Sequence, residues 1–303
     1  MKIGFLMRRH PPTRRSPIMP EVVSILAEWG AEIELLYPDE EIVDLGRLRP
    51  RHDLYVLRSN SELALSLAGA LHAGGAAVLN PYPVAAMLRN KIISTQVLLA
   101  AGVPVPETFV TGEPESLAAV LDNGPLVVKP HTGSDGVGVR VVWDTDDLIA
   151  CAGQPGPMFA MRYHPGDGRD RKIYCIGGQL FGVKRTWPVR SYDDKLGDSF
   201  TLDHELRAIA IACGEAFGID LFGVDIIISD GRPWVVDMSS FPGFKGVPNA
   251  ALRLADYIYA AAARAVAGEP VLAGVGAAVG AAVGAAVGAG VGAVVGAGAG
   301  VGA

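Results

Sequence analysis

The chain reads as a protein of the α/β class, with an open, largely parallel layer at its N-terminus and antiparallel hairpins further on. Three observations carry this reading. Strand-like and helix-like patterns alternate from Met1 to about residue 80, as they do in an open layered α/β structure. Two short apolar strands then flank a glycine-rich segment, Gly133–Gly138. Near the C-terminus two more apolar strands, within Phe222–Gly246, meet at Asp230-Gly231-Arg232-Pro233, and each carries one aspartate.

Taken in order, Lys2–Met7 reads as a first β-strand rather than a signal peptide. A loop with Arg8, Arg9, Arg14 and Arg15 follows, then a helix over Glu21–Trp29 that stops at Gly30. Glu32–Tyr37 and Leu54–Leu57 read as strands, Ser61–Ala73 as a helix and Ala77–Asn80 as a short strand. Ligands gather at the carboxyl ends of strands in such sheets. Arg14 and Arg58 fall there, and guanidinium groups pair bidentately with carboxylate or phosphate. They are candidates to hold an anionic substrate; a solvated basic loop is the other reading.

Pro83–Ala101 predicts one helix, carrying Arg89-Asn90-Lys91. Strand Glu107–Val110 and a short helix, Ser116–Leu121, come next. Leu126–Pro130, which contains Lys129, and Val139–Trp143 are the strands around the glycine segment. Met158–Tyr163 is a strand, and Lys172–Ile176 with Gln179–Lys184 form a hairpin around Gly177-Gly178. An amphipathic helix, His204–Phe217, precedes the aspartate hairpin, and Ala250–Ala267 closes the folded part before Glu269-Pro270.

Asp225 and Asp237 sit on paired strands, so their carboxylates come close together. Close carboxylates repel unless a cation neutralises them. Mg²⁺ favours such oxygen ligands and commonly takes substrate phosphates as well. A phosphate grip is present upstream. Three glycines in Gly133–Gly138 let backbone N–H groups turn toward an anion, and Lys129 adds a point charge. No Gly-Lys-Ser/Thr follows, which excludes a Walker A loop. The G-x-x-G-x-G spacing, with a strand after it, excludes the dinucleotide fingerprint. Alone, the segment is equally readable as a glycine-rich hairpin.

Composition sets outer bounds. The chain has 303 residues, which makes about two domains the prior, and 50% of them are apolar. The net charge of −6 and the lack of a long basic run argue against nucleic acid as partner. Cys151, Cys175 and Cys213 form no metal-binding spacing, and their odd number fits a reducing, cytoplasmic setting. From Val271 on, the sequence is Gly, Ala and Val with one Leu, glycines recurring every four residues from Gly276 to Gly300. Its length would span a bilayer, but it lacks large apolar residues and flanking anchors. It reads as a disordered low-complexity appendage.

Several motifs in order give a resemblance over about residues 1–268. They are Lys91 before GVPVPET, VVKP before G-S-x-G-x-G, Asp170-Arg171-Lys172-Ile173-Tyr174 with Gly177-Gly178, and GVDI before VVDMSSFPGF. The chain resembles the ATP-grasp superfamily. Its first half resembles RimK-type amino-acid ligases, and GVKRTWP with FPGFKGVPNA resembles inositol phosphate kinases of that fold.

The resemblance implies an N-terminal pre-ATP-grasp α/β domain (1–82) and two α+β subdomains clasping a nucleotide (83–165 and 166–268), with the tail at 269–303. It implies ATP on Lys91, Lys129 and the loop residues Gly133, Ser134, Gly136 and Gly138, with Phe159 and Met161 lining the adenine cleft. Lys172 and Arg185 would face the transferred phosphate or the substrate. Asp225, Asp237 and Ser239 would hold Mg²⁺ or Mn²⁺. Three positions depart from the family pattern: Ser239 stands where asparagine is usual, Met161 where glutamine or glutamate is, and Asn90 where aspartate is common. The leading expectation is a carboxylate–amine ligase with a small-molecule or peptide substrate. A small-molecule kinase and a non-catalytic ATP-binding module stay open, as does self-association.

Overall fold

The computed structural model describes residues 1–9, 16–133, 136–151, 156–186, 194 and 196–272. The apolar strands near the N-terminus form a parallel sheet in the order β2-β1-β3-β4. Its members are β1 (Lys2–Leu6), β2 (Glu32–Leu36), β3 (Leu54–Leu57) and β4 (Val78–Leu79), linked through α1 (Ile18–Glu28) and α2 (Glu62–Ala73). Ser61 caps α2, its Oγ accepting from the Ala64 N–H at 3.1 Å.

The single helix expected over Pro83–Ala101 is two helices, α3 (Tyr82–Arg89) and α4 (Lys91–Ala100). Asn90 causes the break. Its backbone is extended (φ −98°, ψ 109°), and its Oδ1 accepts from the N–H groups of Ile92 at 3.0 Å and Ile93 at 3.4 Å. Asn90 also bridges Thr132, and the Lys91 N–H donates to the His131 carbonyl at 2.8 Å. A strong N-cap and pairing to the glycine segment therefore outweigh helix continuity. Lys91 becomes the first residue of α4.

The second sheet is antiparallel, in the order β5-β8-β6-β7. It comprises β5 (Thr108–Thr111), β6 (Leu126–Pro130), β7 (Arg140–Val142) and β8 (Met158–Arg162). The predicted Ser116–Leu121 helix is a 3₁₀ turn, Pro114–Leu117, running into α5 (Ala118–Leu121). A helix not anticipated, α6 (Thr145–Ile149), starts at Asp144, whose Oδ1 accepts from the Asp147 N–H at 2.9 Å.

The third sheet, also antiparallel, runs β11-β10-β9-β12-β13. Its strands are β9 (Arg169–Ile176), β10 (Gln179–Thr186), β11 (Asp198–Phe200), β12 (Leu221–Ser229) and β13 (Arg232–Ser239). The short edge strand β11 had no reading in the sequence. The hairpin turn is Asp230-Gly231 alone, both left-handed (φ 49° and 75°); Arg232 and Pro233, expected in the turn, belong to β13. Helices α7 (His204–Phe217) and α8 (Ala250–Val266) complete the fold.

One core joins Ile3, Phe5 and Leu26 to Leu254 and Ile258 of α8, so the N-terminal layer packs directly on the C-terminal part. A second core unites Phe159 and Met161 of β8, Ile173, Val224, Val235 and Met238 of the third sheet, and Leu206 and Cys213 of α7. At the outer edge of β13, the Val235 N–H donates to the Pro104 carbonyl at 2.8 Å.

Candidate active site

The site is set by an irregularity in β13. Asp225 pairs with Asp237, but Ile226 pairs with Val235, so Val236 is an extra residue: a β-bulge. In a regular strand Asp237 would share a face with Val235. The bulge reverses that. Val235 and Met238 both enter the apolar core, at 1% and 3% exposure, and Asp237 turns to the opposite face, level with Asp225. Ser239, two residues on, shares that face. So does Lys172, which pairs with Asp225 across β9 and β12, and so do Asp170 and Arg185, opposite each other on β9 and β10.

These side chains form a charged ladder. Lys172 Nζ lies 2.6 Å from Asp225 Oδ2, and Arg185 Nη2 lies 3.2 Å from Asp225 Oδ1. Arg185 also grips Asp170, at 2.6 Å through Nη2 and 3.3 Å through Nε. Lys91 Nζ reaches Asp237 Oδ1 at 2.8 Å. Lys129, buried, donates from Nζ to the Val236 carbonyl at 3.0 Å and lies 3.4 Å from Met161 Sδ. Lysines and an arginine of the chain itself thus contribute positive charge around the paired aspartates.

Burial, with Lys91 beside it, lowers the Lys129 pKa against the opposing pull of Asp237 and Asp225. Burial pushes the Asp237 carboxyl upward, but Lys91 and Lys129 outweigh it and hold the group below its ordinary value. At Asp170 burial wins over Arg185 and the pKa rises.

No group of three His, Cys, Asp or Glu suited to a metal occurs among the described residues. The donors present, two opposed carboxylates with a hydroxyl on the same face, still fit Mg²⁺, which usually binds one or two carboxylates and completes its shell with phosphate and water.

The glycine segment is distributed unevenly. Gly136 and Gly138 are left-handed (φ 72° and 75°), a conformation other residues adopt only with strain. Gly133 is not: a Cβ there would meet only Pro130 Cβ, at 3.8 Å. Ser134 and Arg14 lie outside the described residues. Phe159 and Met161 are buried and, with Lys91, Leu98 and Val235–Met238, line a cavity of about 10 Å³ between β8, α4 and β13.

Arg58, the candidate substrate residue among those described, has its guanidinium 5.6 Å over the Phe241 ring, two residues beyond Ser239, where the N-terminal layer abuts the end of β13. Nearby, Arg8 Nη1 donates to Asn60 Oδ1 at 3.3 Å and Arg89 Nη2 to the Asn60 carbonyl. The sequence reading missed Asp170 as a site residue, although it lies two before Lys172 on a strand. His164 is a packing residue, stacked on Trp234 with centroids 4.4 Å apart.

Solved structures place this architecture among the ATP-grasp folds. The RimK-domain ATP-grasp protein of Sphaerobacter thermophilus superposes with a TM-score of 0.68 at 22% identity, over 84% of this chain and 98% of that one. D-cycloserine synthetase superposes with 0.69 at 20% identity, over 88% and 100%. A RimK-like ATP-grasp domain matches residues 88–259, and the chain belongs to that family. A probable alpha-L-glutamate ligase of Saccharophagus degradans is 30% identical over 177 residues, which cover 54% of this chain and 58% of that protein. One from Vibrio atlanticus is 24% identical over 243 residues, covering 74% and 80%. The chain therefore spans less than two thirds of the first of these relatives. No helix among the described residues is long and apolar enough to cross a membrane.

Proposed function

We propose that the chain is an ATP-dependent carboxylate–amine ligase working with Mg²⁺ or Mn²⁺. The observation that supports this is the opposed Asp225–Asp237 pair ringed by Lys91, Lys129, Lys172 and Arg185. In this reading Lys91 and Lys129 take the ATP phosphates, and the segment with Gly133, Ser134, Gly136 and Gly138 covers them. Phe159 and Met161 adjoin the base, and Asp225, Asp237 and Ser239 hold the metal. Arg14 and Arg58 bind an anionic small-molecule or peptide substrate, in a reducing, cytoplasmic setting.

A substrate carboxylate takes the γ-phosphoryl group as ADP leaves. An amine nitrogen then attacks the carbonyl carbon, and phosphate departs. The metal would supply neutralisation of phosphate oxygens. Lys172 and Arg185, held in place by Asp225 and Asp170, supply the remaining positive charge where negative charge develops.

The relatives named glutamate ligases favour this reading over a small-molecule kinase, and a structural neighbour described as an ATP-grasp ligase is complexed with precursor, Mg and ADP. The test is turnover with MgATP and a panel of acids and amines. Ligation yields ADP and phosphate together, with a product whose mass is acid plus amine less water. A phosphorylated product without free phosphate makes the protein a kinase. ATP binding without ADP formation makes it the non-catalytic module that Ser239 leaves open.

A further inference from the structure

Asn80 follows β4 at the end of the N-terminal sheet and is 1% exposed. Its Nδ2 donates to the Leu221 carbonyl at 2.7 Å and to the Ser240 carbonyl at 2.5 Å. Leu221 opens β12, the strand of Asp225; Ser240 follows β13, the strand of Asp237 and Ser239. The ladder between these strands ends at Gly223 and Ser239, so both carbonyls lie just beyond its last rung. One side-chain amide from another sheet therefore ties the two strands together where their own pairing stops.

The other half of that amide gains nothing. Asn80 Oδ1 is buried and finds no hydrogen-bond partner among the described residues. A buried acceptor left unpaired is costly, and an apolar residue of similar size would avoid the cost. The group is poorly suited as filler and well suited as a clamp.

We propose that Asn80 is a positioning residue for the metal-facing set Asp225, Asp237 and Ser239. It acts through the backbones of β12 and β13 and fixes, from the N-terminal layer, the spacing at which the two strands present their carboxylates. The inference rests on the assignment of Mg²⁺ to those residues. It also joins that set mechanically to the layer that carries Arg58.

The test is calorimetric binding of a non-hydrolysable ATP analogue to the full chain, with and without Mg²⁺. In the wild type Mg²⁺ raises the affinity. In Asn80→Ala the metal-free affinity stays at the wild-type value, and the Mg²⁺-dependent gain shrinks about tenfold. Asn80→Ser keeps one donor and falls between; it decides the matter if Asn80→Ala does not fold. An undiminished Mg²⁺ gain in a folded variant overturns the clamp. So does an equal loss of affinity with and without Mg²⁺, the mark of a merely structural residue. If the wild type itself shows no Mg²⁺-dependent gain, the metal assignment is wrong and the clamp falls with it.

Discussion

The two faces of the five-stranded sheet are built from the same strands and do opposite jobs. One face presents Asp170, Lys172, Arg185, Asp225 and Asp237, a ladder in which each charge meets an opposite charge, mostly from another strand. The other presents Ile173, Cys175, Val224, Ile226, Val235 and Met238 to α7. On this second face Arg171 pairs with Asp167, four residues away, Arg169 with Asp198 at 3.2 Å, and Lys184 lies over the Phe200 ring at 5.7 Å. The difference is connectivity: on the first face Asp170, Arg185, Asp225 and Lys172 form one chain of contacts, and on the second each cation has its own separate partner. The bulge at Val236 lets neighbours in sequence, Asp237 and Met238, serve different faces.

The largest way to break this contrast is at Asp237. Asp237→Asn keeps an acceptor for Lys91 but removes the charge. Turnover should fall on the order of 10²–10³-fold or more while circular dichroism stays native. Ser239→Ala should cost less, and Ser239→Asn should preserve or raise the rate. A wild-type rate in Asp237→Asn would falsify the metal role proposed for this face.

The adjacent residue should give the mirror result. Met238→Ala opens a cavity in a core where the side chain is 3% exposed, and should lower unfolding stability by about 2–5 kcal/mol in urea titrations. The kcat of the fraction still folded should stay close to wild type. A kcat loss as deep as that of Asp237→Asn, at full stability, would erase the distinction between the faces.

The smallest effect sharpens the comparison from the apolar side. The Arg171 fork holds the Asp167 carboxyl down from 3.8 to about 2. The folded value is the depressed one, so the stabilisation is complete above about pH 4 and is lost as pH falls toward 2. The Asp167 side chain is 48% exposed, and solvent screening leaves about 1 kcal/mol or less. Unfolding curves at pH 7 and pH 3 should converge between wild type and Asp167→Asn at the lower pH. A gap that widens on acidification would contradict the pairing.

Much of this was legible in the chain alone. Strand Leu54–Leu57 and helix His204–Phe217 lie where their patterns put them, because local periodicity and flanking caps suffice for such elements. The Asp-Gly turn announced the hairpin, but its register alone sets Asp225 opposite Val236, and the bulge brings Asp237 there. The bulge was not legible there: that Val235 and Met238, three apart rather than two, are both buried is seen only in the structure. What the sequence could not supply was the partner of each charge. Lys91 meets Asp237 across 146 positions, Lys129 meets the Val236 carbonyl across 107, and Asn80 meets Ser240 across 160. Periodicity reports which face of its own element a residue occupies. Which face of another element lies opposite is decided only when the sheets pack, so the amino-acid sequence determined the donors and acceptors, and the tertiary structure decided who holds whom.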